Sequence, residues 1–303
     1  MLIGVYLIED EINRLITNKI SLENLKEFSF IIGANPSKGA RSPILWNKVY
    51  SYQDQQIRML PFDVEEANLG KLIMVLQNEL NCLGGAVAVP YKEKVFAILS
   101  NNCNKTIRQI GAINCIFRRD PNEQIFSCTN TDGEGALEPI TKILSGAKPL
   151  KIGLIGYGGA GKAIAGFLQQ YSDKHKIILF NRTLPQKKIL EKLKIDFIEF
   201  KKLPSKIEDL DILINATSVG SQNNLNERLI RREELYKLKN SALVYDIIYD
   251  PPETILLKDA KDFGLNILNG LDMNLLQAVL AFKHVNNTTL SLTEVKEIMG
   301  SSD

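Results

Sequence analysis

Residues 151–167 read KIGLIGYGGAGKAIAGF, and their reading decides the fold. Lys151–Ile155 is a short apolar run of strand type. It ends in Gly156-Tyr157-Gly158-Gly159-Ala160-Gly161, a G-x-G-x-x-G turn. After the turn, Ala160, Ala163, Ile164, Ala165 and Phe167 recur at helical spacing. In such a turn the first glycine permits the tight bend. The second lets backbone approach a pyrophosphate at the positive end of the new helix, and the third lets helix and strand pack closely. A second strand, Lys176–Phe180, follows at βαβ distance, and this context turns a weak string into a dinucleotide-binding reading.

The end of that second strand selects the cofactor. An NAD site usually places Asp or Glu there to accept the ribose 2′-hydroxyl. This chain has Asn181-Arg182-Thr183, with Lys187 and Lys188 nearby. No carboxylate repels a 2′-phosphate, and a guanidinium is present to bind one. The sequence therefore points to NADP(H).

Working outward, 303 residues suffice for two domains. The net charge is +2, so no nucleic acid or acidic membrane surface is implied. Cys82, Cys103, Cys115 and Cys128 form no C-x-x-C pair, and His175 and His284 are the two histidines. No metal site is expected. The thiols read as reduced groups of a cytoplasmic protein, and the histidines as surface or helix-end residues. Met1–Ile8 is apolar but is followed at once by Glu9, Asp10 and Glu11. It is too short for a membrane span and lacks a basic start, so it reads as a strand, followed by a helix with Ile12, Leu15, Ile16 and Ile20 on one face.

Strand signals then fall on Phe28–Gly33, Gln56–Phe62 and Gly85–Val89. A strand pair, Ala112–Phe117 and Gln124–Cys128, is joined by a polar turn over Arg118–Glu123. Helices are expected from Ser42-Pro43, with Ser42 as the cap, and over 65–80 and 134–144. Beyond the glycine turn, strands are read at Asp196–Phe200, Asp211–Asn215, Ala242–Ile247 and Asn266–Leu268, then a last helix over 274–285. Alternating strands and helices predict an α/β protein with mostly parallel sheets.

Several segments, in order, resemble the shikimate/quinate dehydrogenase family. They are Gly84-Gly-Ala-Val-Ala-Val-Pro-Tyr-Lys-Glu93, Gly111-Ala-Ile-Asn114, Asn130-Thr-Asp-Gly133, the glycine turn and Asn181-Arg-Thr183. Ile214-Asn-Ala-Thr-Ser218, Tyr245-Asp-Ile-Ile-Tyr249 and Gly270-Leu-Asp-Met273 with Gln277 complete the set. The resemblance runs from about residue 30 to the C-terminus and leaves out residues 1–28. It implies two α/β domains flanking a cleft. The substrate-binding domain would span 1–131 plus 272–303, and a Rossmann-type NADP domain 132–271, with the C-terminal helix returning to the former. It implies Lys92 and Asp132 as the catalytic pair, and Ser42, Asn114, Tyr249 and Gln277 as substrate contacts. Gly156, Tyr157, Gly158, Gly159, Ala160, Asn181, Arg182, Thr183, Thr217, Ile247 and Gly270 are the implied cofactor contacts.

The implied reaction is NADPH-dependent reduction of 3-dehydroshikimate to shikimate, a step toward chorismate and the aromatic amino acids. The implied partner is a small cyclic hydroxy acid, and the protein would be a monomer or homodimer. The chemistry needs a proton donor where a reduced ketone gathers negative charge, and a lysine ammonium is both a cation and an acid.

The chain also departs from the family pattern. Ala40-Arg41-Ser42-Pro43 stands where the family has Ser-x-Ser-Pro, and Ala86 and Ala88 stand where it has Asn and Thr. Losing three such contacts without replacement would weaken binding by roughly a hundredfold to ten-thousandfold. Two readings stay open: Arg41, Ser37 or Lys38 grips the carboxylate, or the substrate is a relative of shikimate such as quinate. A non-catalytic NADP-binding regulator is the alternative outside enzymology. Trp46 reads as a helix-core aromatic where the family often has His. Asp272 stands where glycine is common.

Overall fold

The computed structural model describes residues 2–301. The chain divides into two compact units: Met1–Thr131 with Leu275–Asp303, and Asp132–Asn274. The first holds a five-stranded sheet built from β1 (Glu27–Gly33), β2 (Ile57–Asp63), β3 (Cys82–Val87), β4 (Cys115–Phe117) and β5 (Ser127–Thr129). Their order is β2-β1-β3-β4-β5. β1 runs parallel to both β2 and β3, while β4 is antiparallel to both β3 and β5.

The second unit holds six parallel strands: β6 (Lys151–Ile155), β7 (Lys176–Asn181), β8 (Asp196–Glu199), β9 (Ile212–Asn215), β10 (Leu243–Asp246) and β11 (Asn266–Leu268). Their order is β11-β10-β9-β6-β7-β8. This is the doubly wound arrangement, with its switch point between β6 and β9. Strand period explains why helices must cover both faces. Ile152, Leu154, Ile177, Leu179, Ile212 and Ile214 feed one core. The alternate residues Ile178, Phe180, Leu213 and Val244 feed the other. A strand buried on both sides cannot face water, so its sequence is a continuous apolar run.

In the first unit one core lies under helices Ser42–Tyr52 and Leu271–Val285. Trp46 is fully buried there, edge-on to Phe282 at 5.3 Å between ring centres, and its indole N–H donates to the Ala278 carbonyl at 3.1 Å. It is the core aromatic expected of it. No helix among the described residues is long and apolar enough to cross a membrane.

Several expectations are corrected. The apolar start is part of a helix, Leu2–Asn13, not a strand; Met1 lies outside the described residues. A short apolar run carries no period of its own that separates the two. Leu15, Ile16 and Ile20 lie beyond that helix, and Ile16 makes an antiparallel bridge to Val64. Cys103 and Cys128 are joined as a disulfide, so only Cys82 and Cys115 are free thiols. The pairing links positions far apart in the chain, which spacing alone does not reveal.

His175 is buried rather than superficial. Its Nδ1 accepts from the Leu150 amide at 3.2 Å, and Nε2 lies 2.7 Å from the Leu144 carbonyl. His284 does sit exposed in the last turn of helix Leu271–Val285. Ser42 is already helical, and Arg41 occupies the cap position. The strand pair is shorter than read, and Arg118, assigned to a polar turn, is buried. A further helix, Leu292–Gly300, follows the one read as last; Ser291 and Glu294 close its start as a capping box.

Candidate active site

The glycine turn is built as its residue types demand. Gly156 has φ +94°, and a Cβ there would meet Thr217 Cγ2 at 2.7 Å. Only glycine adopts this conformation cheaply. Gly161 lies against the Gly156 carbonyl, where a Cβ would collide with backbone. A Cβ on Gly158 would meet nothing within 4 Å, so the loop is open at the point where helix Gly159–Leu168 starts. An exposed helix N-terminus over a glycine backbone suits a pyrophosphate. At the end of β7, Asn181 Nδ2 donates to the Thr183 carbonyl at 2.9 Å, and Arg182 is exposed to solvent. An Asn-Arg pair there fits a 2′-phosphate and offers no carboxylate to a free ribose hydroxyl. Lys162 lies over the Tyr157 ring at 5.9 Å.

Two further loops leave the same, C-terminal edge of this sheet, after β9 and β10. Asn215 organises both. Its Oδ1 accepts from the Thr217 amide at 2.9 Å and from Thr217 Oγ1 at 2.7 Å. Its Nδ2 donates to Asp246 Oδ1 at 3.0 Å. Asp246 Oδ1 also accepts from the Ile248 amide at 3.1 Å, and Oδ2 from Thr254 Oγ1 at 2.7 Å. Burial pushes the Asp246 carboxyl up to about 6, while these hydrogen bonds act in the opposite direction. Gly270 completes the group: a Cβ there would run into the Ile247 carbonyl, and its amide donates to the Ile248 carbonyl at 3.0 Å. Thr217, Ile247 and Gly270 are thus held in one lattice. The sequence reading quoted Asn215 and Asp246 within family segments but gave them no role, and it passed over Thr254. The available signal was a carboxylate closing the apolar run Ala-Leu-Val-Tyr-Asp246.

In the first unit, Lys92 begins helix Lys92–Leu99 directly after β3 and its turn, and its carbonyl accepts from the Ile113 amide at 2.9 Å. The next residue, Asn114, is buried. Its Oδ1 accepts from the Thr131 amide at 2.8 Å. Its Nδ2 donates to Thr131 Oγ1 at 2.9 Å and to Gln277 Oε1 at 3.4 Å. Thr131 Oγ1 in turn donates to the Gln277 carbonyl at 2.9 Å. Asn130 Nδ2 donates to the Ala112 carbonyl at 3.0 Å. Segments from three distant parts of the chain therefore meet: 111–114, 130–131 and Gln277. Ser42 is buried at the start of its helix. In the second unit, Asp132 begins helix Asp132–Leu137 and is buried, and Tyr249 is half-buried after β10.

Comparison with known proteins gives the family. Residues 31–116 match the profile described as shikimate dehydrogenase substrate binding domain, and residues 138–251 the profile for shikimate / quinate 5-dehydrogenase. The shikimate dehydrogenase (NADP+) of Methanocaldococcus jannaschii is 33% identical over 82% of this chain and 88% of its own. That of Methanosphaera stadtmanae is 34% identical over 86% and 92%. The chain belongs to the shikimate dehydrogenase family. A shikimate dehydrogenase crystallised in complex with NADP+ superposes with a TM-score of 0.76 at 29% identity, over 90% of this chain and 94% of that one.

Against the shikimate dehydrogenase pattern, the three alanines have no polar replacement at their own positions. Ala86 is buried in the core beside Cys115, and Ala88 packs against the same cluster. Ser37 is also removed as a substitute for the hydroxyl missing at Ala40. Its Oγ donates to Asp63 Oδ2, and its amide donates to Asp63 Oδ1 at 2.9 Å. A hydroxyl hydrogen committed to a buried carboxylate is not offered to a second one. Arg41 and Lys38 remain as cations of the segment. Among the described residues no group of three or more His, Cys, Asp or Glu is placed to hold a metal ion.

Proposed function

We propose that this chain catalyses the reversible, NADPH-dependent reduction of 3-dehydroshikimate to shikimate, a step of aromatic amino acid biosynthesis. The observation that carries this reading is the junction of Lys92 backbone, Asn114, Thr131 and Gln277, in a chain whose second unit fits NADP. The first unit is the substrate-binding domain and the second the cofactor domain. NADPH, when bound, supplies the hydride. Lys92 donates a proton to the ketone oxygen as negative charge gathers there, and recovers it in the reverse direction. Asp132 accepts a hydrogen bond from a ring hydroxyl of the substrate. Asn114, Gln277, Tyr249 and Ser42 hold the ring and its carboxylate. Gly156–Ala160 receive the pyrophosphate, Asn181–Thr183 the 2′-phosphate, and Thr217, Ile247 and Gly270 the nicotinamide end. The protein acts as a monomer or homodimer and in the cytoplasm, although the Cys103–Cys128 pair withdraws the support that four reduced thiols lent to that compartment.

The test is NADPH oxidation with 3-dehydroshikimate, followed by absorbance, for the wild type and for Lys92→Ala. Loss of a general acid lowers kcat by about a hundredfold or more with a smaller effect on KM. No turnover by the wild type, or equal turnover by the variant, overturns the reading. A second reading is favoured by Ala86 and Ala88, which are packed and apolar: the substrate is a shikimate-like acid, such as quinate, whose ring and hydroxyls differ from those of shikimate. Competing 3-dehydroshikimate against 3-dehydroquinate by kcat/KM decides between them.

A further inference from the structure

Residues 1–28 carry none of the family motifs, and the substrate-domain match begins at residue 31. The structure nevertheless ties part of this segment to the region that the proposed function assigns to the substrate carboxylate. β2 is an edge strand of its sheet, and such edges need cover. Residues 16–18 provide it. Ile16 bridges Val64, the Thr17 amide donates to the Asp63 carbonyl at 2.7 Å, and Asn18 Nδ2 donates to the Pro61 carbonyl at 2.9 Å. The Asp63 amide donates back to Asn18 Oδ1 at 2.9 Å.

The segment is itself held in shape. Asn13 Nδ2 donates to the Ile20 carbonyl at 3.1 Å, the Ile20 amide donates to Asn13 Oδ1 at 3.0 Å, and the Leu22 amide donates to Glu9 Oε2 at 2.7 Å. Asp63 is the residue where this clamp ends. Its backbone faces Thr17 and Asn18, and its side chain faces the other way in function. Both carboxylate oxygens accept from Ser37, one from the amide and one from the hydroxyl. Asp63 is 4% exposed, while Ser37 lies at the surface, so the buried carboxylate holds an exposed turn in place.

Ser37 lies in the short turn Pro36–Lys38, where the Ala40 amide donates to the Pro36 carbonyl at 3.1 Å and Gly39 has φ +153°. Five residues after Ser37 comes Ser42, the one hydroxyl left from the family's Ser-x-Ser. A loop that has lost one of two substrate hydroxyls depends more on where the other is placed.

We propose that Asp63 is a positioning residue for the substrate carboxylate, fixing the Ser37–Ser42 segment from a strand edge that Thr17 and Asn18 clamp. Asp63 touches neither substrate nor cofactor. It acts through Ser37, and its effect falls on substrate affinity and not on the cofactor or the chemical step. The inference rests on the shikimate dehydrogenase reading above.

The experiment measures steady-state kinetics of the full chain with 3-dehydroshikimate and NADPH for the wild type, Asp63→Ala, Asp63→Asn and Asn18→Ala, with folding checked by circular dichroism. Asp63→Ala raises KM for 3-dehydroshikimate by about tenfold to a hundredfold, with KM for NADPH and kcat within about twofold. Asp63→Asn restores KM to near the wild-type value, because its Oδ1 accepts from the Ser37 amide and its Nδ2 donates to Ser37 Oγ. Asn18→Ala shifts the same constant by a smaller factor. If Asp63→Ala does not fold, Ser37→Ala carries the same comparison, since it removes only the side-chain half of the anchor. An unchanged KM, equal rises in both KM values, or an Asp63→Asn variant as impaired as Asp63→Ala overturns the proposal while leaving the functional reading intact. A wild type that does not turn over 3-dehydroshikimate overturns that reading and this inference with it.

Discussion

Asp246 shows how one buried group sets the condition of a whole loop. It has no exposed surface and receives three hydrogen bonds, yet burial still holds its carboxyl up at about 6 against an ordinary 3.8. Because the folded value is the higher one, the folded state takes up the proton more readily than the unfolded chain. The resulting stabilisation is fully present below 3.8 and is lost as pH rises through about 6. The melting temperature of the wild type should therefore fall across that window by more than that of Asp246→Asn, which carries no ionisable group but keeps an acceptor for Asn215 and Ile248. Parallel melting curves for the two proteins would show that this residue does not set the slope. The residues of the glycine turn were legible in the sequence because a positive φ and close backbone contact admit few alternatives to glycine. Asn215, Asp246 and Thr254 were not, because an apolar run signals burial but does not say which distant partner a polar residue will meet.

At the scale of elements, the same limit appears in Arg118. The polar letters around it read as a polar turn, yet Arg118 is 8% exposed and its guanidinium lies 4.6 Å from the centre of the Phe126 ring. Its Nε donates to the Cys82 carbonyl, its Nη1 to that of Glu123, and its Nη2 to those of Leu76, Gln77 and Glu79. Leu76 and Gln77 lie in the last turn of helix Glu66–Asn78, whose final carbonyls have no partner within the helix. One cation thus closes that helix, the start of β3 and the β4–β5 connection together. Desolvation lowers the tendency of Arg118 to hold its proton, but arginine stays charged, so the favourable helix-end interaction persists. Arg118→Ala would strand several buried carbonyls and should destabilise the first unit by at least about 3 kcal/mol in urea unfolding. A loss below about 1 kcal/mol would mean that water replaces the guanidinium. Strands with a clear apolar run were read to within a few residues. The Leu2–Asn13 helix was misread because eight apolar residues in a row fit either element.

For the molecule as a whole, the decisive question is whether both ligands of the proposed reaction bind. Each unit has its own apolar clusters. Heating therefore need not give a single two-state transition, and a ligand is expected to raise the transition of the unit that binds it. A ligand present at about a hundred times its Kd contributes about 2.7 kcal/mol, which corresponds to a rise of roughly 5–10 °C for a unit of this size. NADP+ alone should raise one transition, and shikimate alone should raise one too, each with a dependence on the logarithm of concentration. NAD+ at the concentration used for NADP+ should shift it less, since β7 ends without a carboxylate for the ribose hydroxyl and Arg182 favours a phosphate. The alternative of a cofactor-binding regulator makes a different forecast from the same sequence. With Ala40, Ala86 and Ala88 leaving an impaired grip, NADP+ would stabilise the protein while shikimate and quinate would not. An enzyme must respond to both classes of ligand because the substrate contacts proposed for it, Asn114 and Gln277 among them, are already joined through bonds to each other and to Thr131 without cofactor. A shift with NADP+ and none with shikimate, quinate or their keto forms would therefore end the enzymatic reading even if every catalytic side chain is in place.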